Sequence, residues 1–153
     1  MCLSIVDETY LEPFYYPSIG QGWKVLRYPS PRNLKRFTGP YFHDTEYDFG
    51  VWHAAMMRLV PCGRTAGLLS LDCDSYWSGF HIFTSEISAN SYRSDCVQTF
   101  LNHSKEFIVV HVQWRGLLAR GKTFIQSAFD DSYLPTIVAA EMKVDAPETK
   151  EKE

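Results

Sequence analysis

Glu106-Phe-Ile-Val-Val-His-Val-Gln-Trp-Arg115 decides the fold. Ile108, Val110, Val112 and Trp114 alternate with Phe107, Val109, His111 and Gln113, the period of a β-strand whose side chains point to opposite faces. Both faces are substantially apolar at the start, so the segment predicts a central strand with material packed on each side. A second alternating stretch runs from Thr136 to Val144. There Val138, Ala140, Met142 and Val144 are expected on one face and Ile137, Ala139, Glu141 and Lys143 on the other.

Working outward, Trp23 to Tyr28 predicts a short strand closed by Pro29 and Pro31. Phe49 to Val60 and Leu68 to Cys73 predict two more, separated by Pro61, Gly63 and Gly67. Gly79-Phe-His-Ile-Phe83 predicts another. The hydroxyls of Thr84 and Ser85 suit helix N-caps, and Ala89, Tyr92, Cys96, Val97, Phe100 and Leu101 then fall at helical spacing, with Asn102 and His103 at the end. Gly116 and Gly121 read as turns. The expected architecture is α+β: a mainly antiparallel or mixed sheet of five to seven short strands packed on one main helix. Residues 1–144 form a single domain in this reading. Residues 1–22, with Pro13, Pro17 and the rings of Phe14, Tyr15 and Tyr16, form an irregular aromatic arm, and residues 145–153 a disordered charged tail.

The chain has 153 residues, 15% of them aromatic and 22% charged, which suits one independently folding core. A net charge of -3 argues against a protein that coats nucleic acid, whose footprint is basic. The apolar run around Phe107–Trp114 is far short of a bilayer span, and MCLSIVDETYLE lacks the positive start of a signal peptide. Four cysteines, Cys2, Cys62, Cys73 and Cys96, are then expected as reduced thiols in a cytoplasmic protein without membrane attachment.

The succession Trp23-Lys-Val-Leu-Arg-Tyr28, Gly50-Val-Trp-His53, Gly79-Phe-His-Ile-Phe-Thr-Ser85, Val109-Val-His-Val112 and Val138-Ala-Ala-Glu-Met-Lys-Val144 resembles a diffuse family of small uncharacterised phage and bacterial proteins. Trp23 stands where that family's opening tyrosine usually does. The resemblance implies a phage or mobile-element setting and brings no activity with it. The order of motifs also resembles a reduced ADP-ribosyltransferase. That resemblance implies NAD as substrate, with Arg27 gripping the pyrophosphate, Thr84 and Ser85 beside the nicotinamide, and Glu141 stabilising the cationic sugar. A carboxylate beside a developing oxocarbenium ion and a bidentate arginine on a pyrophosphate both make chemical sense. Arg27 as a surface residue, Ser85 as a plain cap and Glu141 as a solvated strand residue need no function at all.

His81 titrates near neutrality when unperturbed and suits ligand binding or general acid–base work. A half-buried imidazole satisfied by a backbone carbonyl explains it as well, and His53 beside Trp52 carries the same ambiguity. His43, His53, Cys62, Cys73 and His81 lack zinc-site spacings, so no metal is expected. Cys2 followed by Leu3 departs from the Cys-Gly start of N-terminal nucleophile amidotransferases. No Walker, G-x-G-x-x-G or G-x-S-x-G pattern occurs.

Lys24, Arg27, Arg32, Lys35 and Arg36 form a basic run without an acid between them, and Asp44, Glu46 and Asp48 an acidic loop. The first reading is therefore a protein that acts by binding a host or defence protein, with a nucleotide as a possible ligand, nucleic acid disfavoured and no cofactor. Its contact residues would be Tyr15, Tyr16, Tyr28, Arg32, Arg36, Tyr41, Trp52 and His53, because Tyr, Trp and Arg dominate interface energetics. The alternative is an enzyme using Arg27, His81, Ser85 and Glu141 on NAD. A scaffold whose aromatics are merely core is the third.

Overall fold

The computed structural model describes residues 3–9, 18–28, 36–39, 46–56, 58–61, 75–99, 106–126 and 131–145. The described strands are β1 (Ile5–Thr9), β2 (Ile19–Arg27), β3 (Phe37–Thr38), β4 (Glu46–Tyr47), β5 (Trp52–Ala54), β6 (Leu59–Pro61), β7 (Ser75–Trp77), β8 (Phe80–Phe83), β9 (Phe107–Gln126) and β10 (Asp131–Val144). Among the described residues one helix, α1 (Glu86–Thr99), lies between β8 and β9. The coarse expectation of an α+β chain with a mostly antiparallel sheet holds, and every described pairing is antiparallel. The sheet is larger than five to seven short strands. Eight strands join in one sheet, in the order β1-β9-β10-β8-β2-β3-β4 with β5 on β10, and β6 and β7 form a separate ribbon.

β9 organises the sheet. Its first half pairs with β2, from Arg27 opposite Phe107 to Ile19 opposite Arg115. Its second half pairs with β1, and β10 runs along its other side from Val112 to Gln126. β8 pairs with both β10 and β2, so β9, β10, β8 and β2 form a closed circuit of ladders. This closure satisfies backbone groups that an open sheet would leave at an edge.

Three expectations are corrected here. Residues 1–22 are not an irregular arm throughout, because Ile5–Thr9 adds to β9 as a strand and β2 begins at Ile19. Phe49–Val60 divides into β5 and β6, and two short strands that were not expected, β3 and β4, precede it. Gly116 and Gly121 are not turns but lie inside β9. At Gly116 the chain takes φ 74°, open to glycine and strained for other residues, and the register slips by one residue between the Val138–Ala119 and Ala139–Leu117 pairs, as in a β-bulge. At Gly121 a Cβ would meet the carbonyl oxygen of Ile5 at 2.0 Å, so only glycine lets β1 approach.

The bulge turns a corner, and strict alternation fails there. Trp114 and Leu117 of β9, and Ala139 and Met142 of β10, all belong to the main core cluster, together with Leu26, Phe80, Ile82, Val110, Val112, Ile137 and Val144. Ala139 is thus core and Val138 is not in that cluster, against the single-face reading of Thr136–Val144. Val138 instead joins Leu3, Tyr76, Leu118 and Ala119 in a cluster of its own.

The start of β9 behaves as its alternation predicts. Val110, Val112 and Trp114 enter the main core, while Phe107 joins Val25, Phe83, Ile125 and Leu134 in a cluster that includes Ala89, Tyr92 and Cys96 of α1. Ser85 caps that helix: its Oγ accepts the Ser88 N–H at 3.2 Å and its carbonyl takes the first helical bond from Ala89. Phe100, Leu101, the strand expected at Leu68–Cys73 and the tail from residue 146 lie outside the described residues.

Candidate functional site: the open face of β2, β9, β10 and β5

The register of four adjacent strands sets out a grid of side chains. One row holds Ile19, Arg115, Glu141 and Ala54; the next holds Gln21, Gln113, Lys143 and Trp52; the third holds Trp23, His111 and Asp145. This is the face of β9 that carries Phe107 and Val109 further along, where the α1 cluster lies. Beyond Val109 the aliphatic pattern stops and charged, amide and aromatic groups replace it. Ile19 is 75% exposed and no residue of the grid outside Trp23 is assigned to an apolar cluster.

Charges on this face are mostly paired. Arg115 and Glu141, directly opposite across β9 and β10, form a bidentate ion pair: Nε donates to Oε2, and Nη2 to Oε1 at 3.1 Å. The hydrogen bond to Glu141 raises the pKa of Arg115. The guanidinium carbon of Arg115 sits 4.2 Å from the Trp52 ring centroid, and Lys143 Nζ lies 5.3 Å from the same ring. Among the described residues no carboxylate pairs with Lys143.

One row along, His111 Nδ1 is 2.5 Å from Asp145 Oδ2, and Gln113 Nε2 donates to Asp145 Oδ1 at 3.3 Å. The Trp23 ring meets the imidazole edge-on at 5.5 Å between centroids. A carboxylate accepts, so Nδ1 carries the proton and the ring is oriented with Nε2 turned from Asp145. Nε2 makes no hydrogen bond to the described residues. The grid therefore offers an oriented imidazole, a cation on an indole and two amides on one surface.

The residues proposed for NAD chemistry are not assembled there. Arg27, 11% exposed, is bound through Nε to Glu106 Oε2 at 2.5 Å. Arg27 faces Phe107 while Glu141 faces Arg115, eight residues further along β9, or about 26 Å of strand. Ser85 is the helix cap described above, and Glu141 is held by Arg115.

His81 is 7% exposed, not half-buried. Its Nδ1–H donates to the Gly79 carbonyl at 3.2 Å and its Nε2 accepts from the Tyr76 hydroxyl at 3.0 Å, while Tyr76 oxygen accepts the Leu3 N–H at 2.8 Å. Burial first, and then the nearby Lys24 charge, hold its pKa down at about 3, so the ring is neutral and both nitrogens are engaged.

The expected contact residues divide. Trp52 lies on the open face. Tyr28 packs edge-on against Phe49 at 5.4 Å beside the main core. Arg36 bonds Asp48 at 3.0 Å and Glu46 at 3.2 Å, so the end of the basic run and the acidic loop neutralise each other. His53 Nε2 lies 3.1 Å from the Asp48 carbonyl oxygen, its ring edge-on to Tyr47. Tyr15, Tyr16, Arg32 and Tyr41 lie outside the described residues, as do Asp44, His43, Cys2, Cys62 and Cys73. Cys96 is buried in the α1 cluster.

The alternation of β9 signalled His111 and Gln113. Asp145, Arg115 and Lys143 could be added only with the β9–β10 register in hand. Among the described residues no three His, Cys, Asp or Glu side chains gather as a metal site, and no helix is long and apolar enough to cross a membrane.

The chain matches no protein-family model, no curated protein and no solved structure.

Proposed function

We propose that this protein acts by binding a protein partner through the open face of β2, β9, β10 and β5. The observation that carries the reading is the grid itself, a sheet surface on which Trp52, Arg115 and Trp23 stand among amides and pre-paired charges. Tryptophan and arginine release the most energy when an interface covers them, and charges already paired cost less to desolvate than lone ones. Three rows on four strands make a patch roughly 14 Å on a side, the scale of an interface's dominant centre with a rim around it. The motif resemblance to small phage and bacterial proteins supports a host or defence protein as that partner.

The test is affinity capture from bacterial lysate with the wild-type chain, Trp52→Ala and Arg115→Ala, each checked for folding by circular dichroism. The expected result is a protein retained by the wild type and lost from both folded variants. Capture that is indifferent to both substitutions removes this face as the binding site. The NAD reading has no comparable support, since Arg27 and Glu141 are engaged in separate ion pairs at separate places on β9.

A further inference from the structure

His53, His81 and His111 are the histidines among the described residues, and their ring nitrogens are placed differently. His81 is buried, with Tyr76 on one nitrogen and the Gly79 carbonyl on the other. His53 has its Nε2 against the main chain of Asp48, 3.1 Å from the oxygen and 3.2 Å from the nitrogen. That leaves Nδ1, the ring nitrogen next to its own backbone. His111 is the reverse case. Its Nδ1–H is held 2.5 Å from Asp145 Oδ2, its side chain is 35% exposed, and the outer nitrogen, Nε2, makes no hydrogen bond to the described residues. Asp145 is itself fixed. Gln113 Nε2 donates to its Oδ1 at 3.3 Å, and its main-chain N–H donates to the His111 carbonyl at 3.1 Å.

A carboxylate on Nδ1–H fixes the tautomer, so the lone pair of the neutral ring stands on Nε2. The same carboxylate offsets the positive charge that the ring gains when this lone pair forms a bond. An imidazole so held is a nucleophile with its orienting group in place. We propose that His111 is a phosphoryl-acceptor site, modified at Nε2 by a phosphoramidate donor. The Nε2 lone pair forms an N–P bond as the donor's own P–N bond breaks. The leaving amine departs with that electron pair and with the proton its nitrogen already carried, and phosphorus keeps its oxidation state. The ring is left as an imidazolium whose Nδ1–H stays on Asp145. An N–P bond on imidazole holds its phosphoryl group loosely, so the donor must hold it as loosely, which a phosphoramidate does and a phosphate ester does not. Lys143 stands opposite Gln113, diagonal to His111 and roughly 7–8 Å from it between strands, within reach of a long side chain. Among the described residues no carboxylate pairs with Lys143, so its ammonium is left for the new phosphoryl oxygens. The site does not depend on a bound protein partner, and either reading can fail without the other.

The wild-type chain, folded and in urea, is incubated with potassium phosphoramidate at neutral pH. Labelled histidines are located by peptide mass mapping under alkaline conditions, and the bonded ring nitrogen by phosphorus NMR. His111 is expected to be labelled at Nε2 about tenfold faster in the folded chain than in urea, the factor that a hydrogen bond from the developing cation to a carboxylate is worth. It should outpace His53 and His81 in the folded chain, and in urea this ranking should vanish because the three rings share one environment. The His111→Gln variant should lose the fast label. Asp145→Asn, folded by circular dichroism, should lose the rate advantage and spread the label over both ring nitrogens, a redistribution that a purely structural Asp145 would not produce. Labelling of His111 no faster in the folded chain than in urea overturns the proposal, as does an Asp145→Asn variant with the rate and the isomer of the wild type.

Discussion

The two ends of one face of β9 present a contrast. At Phe107 and Val109 the face lies in the cluster that holds Tyr92 and Cys96 of α1; at Arg115 it carries a group held by Glu141 of β10, and at His111 and Gln113 groups held by Asp145 just beyond that strand. Strand, face and neighbour β2 are the same; the side chains differ, and β10 pairs with β9 only from Val112 onward. Aliphatic and aromatic groups at the first end gain by leaving water, roughly 25 cal/mol per Å². The groups at the second end gain little from burial and satisfy one another in place. Stability is therefore expected to reside at the first end and recognition at the second.

The largest effect that tests this contrast is Tyr92→Ala, which empties a buried ring site against Phe83, 5.2 Å away between centroids. A loss of about 3 kcal/mol is expected in urea denaturation; a loss below about 1 kcal/mol would mean that the cluster around α1 is not what stabilises this end. Acid comes next. His81 takes its proton near 6.5 in the unfolded chain and near 3 in the folded one, so between those values the unfolded state binds more protons. Its contribution is complete above 6.5 and is lost as the pH falls toward 3, by up to about 1.4 kcal/mol per pH unit. Urea midpoints measured across that window should fall accordingly, and a flat profile would contradict the neutral, doubly bonded imidazole.

Gly116→Ala is expected to cost about 1–2 kcal/mol through its positive φ, and the Ala140 Cβ 3.0 Å away leaves the new methyl little room. A thermal melt unchanged by this variant would show that the corner is free to relax. Ser85→Ala should cost about 1 kcal/mol by removing the cap of α1, read as a lower melting temperature. Smallest of all, Glu141→Gln and Trp52→Ala on the open end should leave the melting temperature where it was, while partner capture is lost from Trp52→Ala. A substantial drop in melting temperature from either would move the open end into the stabilising part of the molecule.

What could be read from the residues was local. The cap at Ser85 and the stripe Ala89, Tyr92, Cys96 lie within three turns of one helix, and the first eight residues of β9 alternate without interruption. The corner was hidden because a glycine between apolar runs signals a turn and a bulge alike; the φ of Gly116 distinguishes them, and its N–H donates to the carbonyl of Ser18, the residue just before β2, at 3.0 Å. The site was hidden for a related reason. Arg115 and Glu141 are 26 residues apart and His111 and Asp145 34, so each pair exists only in one register of one long hairpin. Arg36 illustrates the converse: its charge and those of Glu46 and Asp48 are plain in the sequence, but their cancellation is a property of the fold.

The dependence of the sheet on β9 also bears on how the chain is made. β2 reaches its partner only when Phe107 to Arg115 exist, and β1 only when Ala119 to Lys122 do. A ribosome adding about 5–20 residues per second needs several seconds to cover that separation. Through that interval β2 has only its short pairings with β3 and β8 to join, and the hairpin of β9 and β10, made last, supplies its longest partner. Folding thus runs against the direction of synthesis, and the nascent N-terminal half is the stretch that a chaperone would be expected to hold.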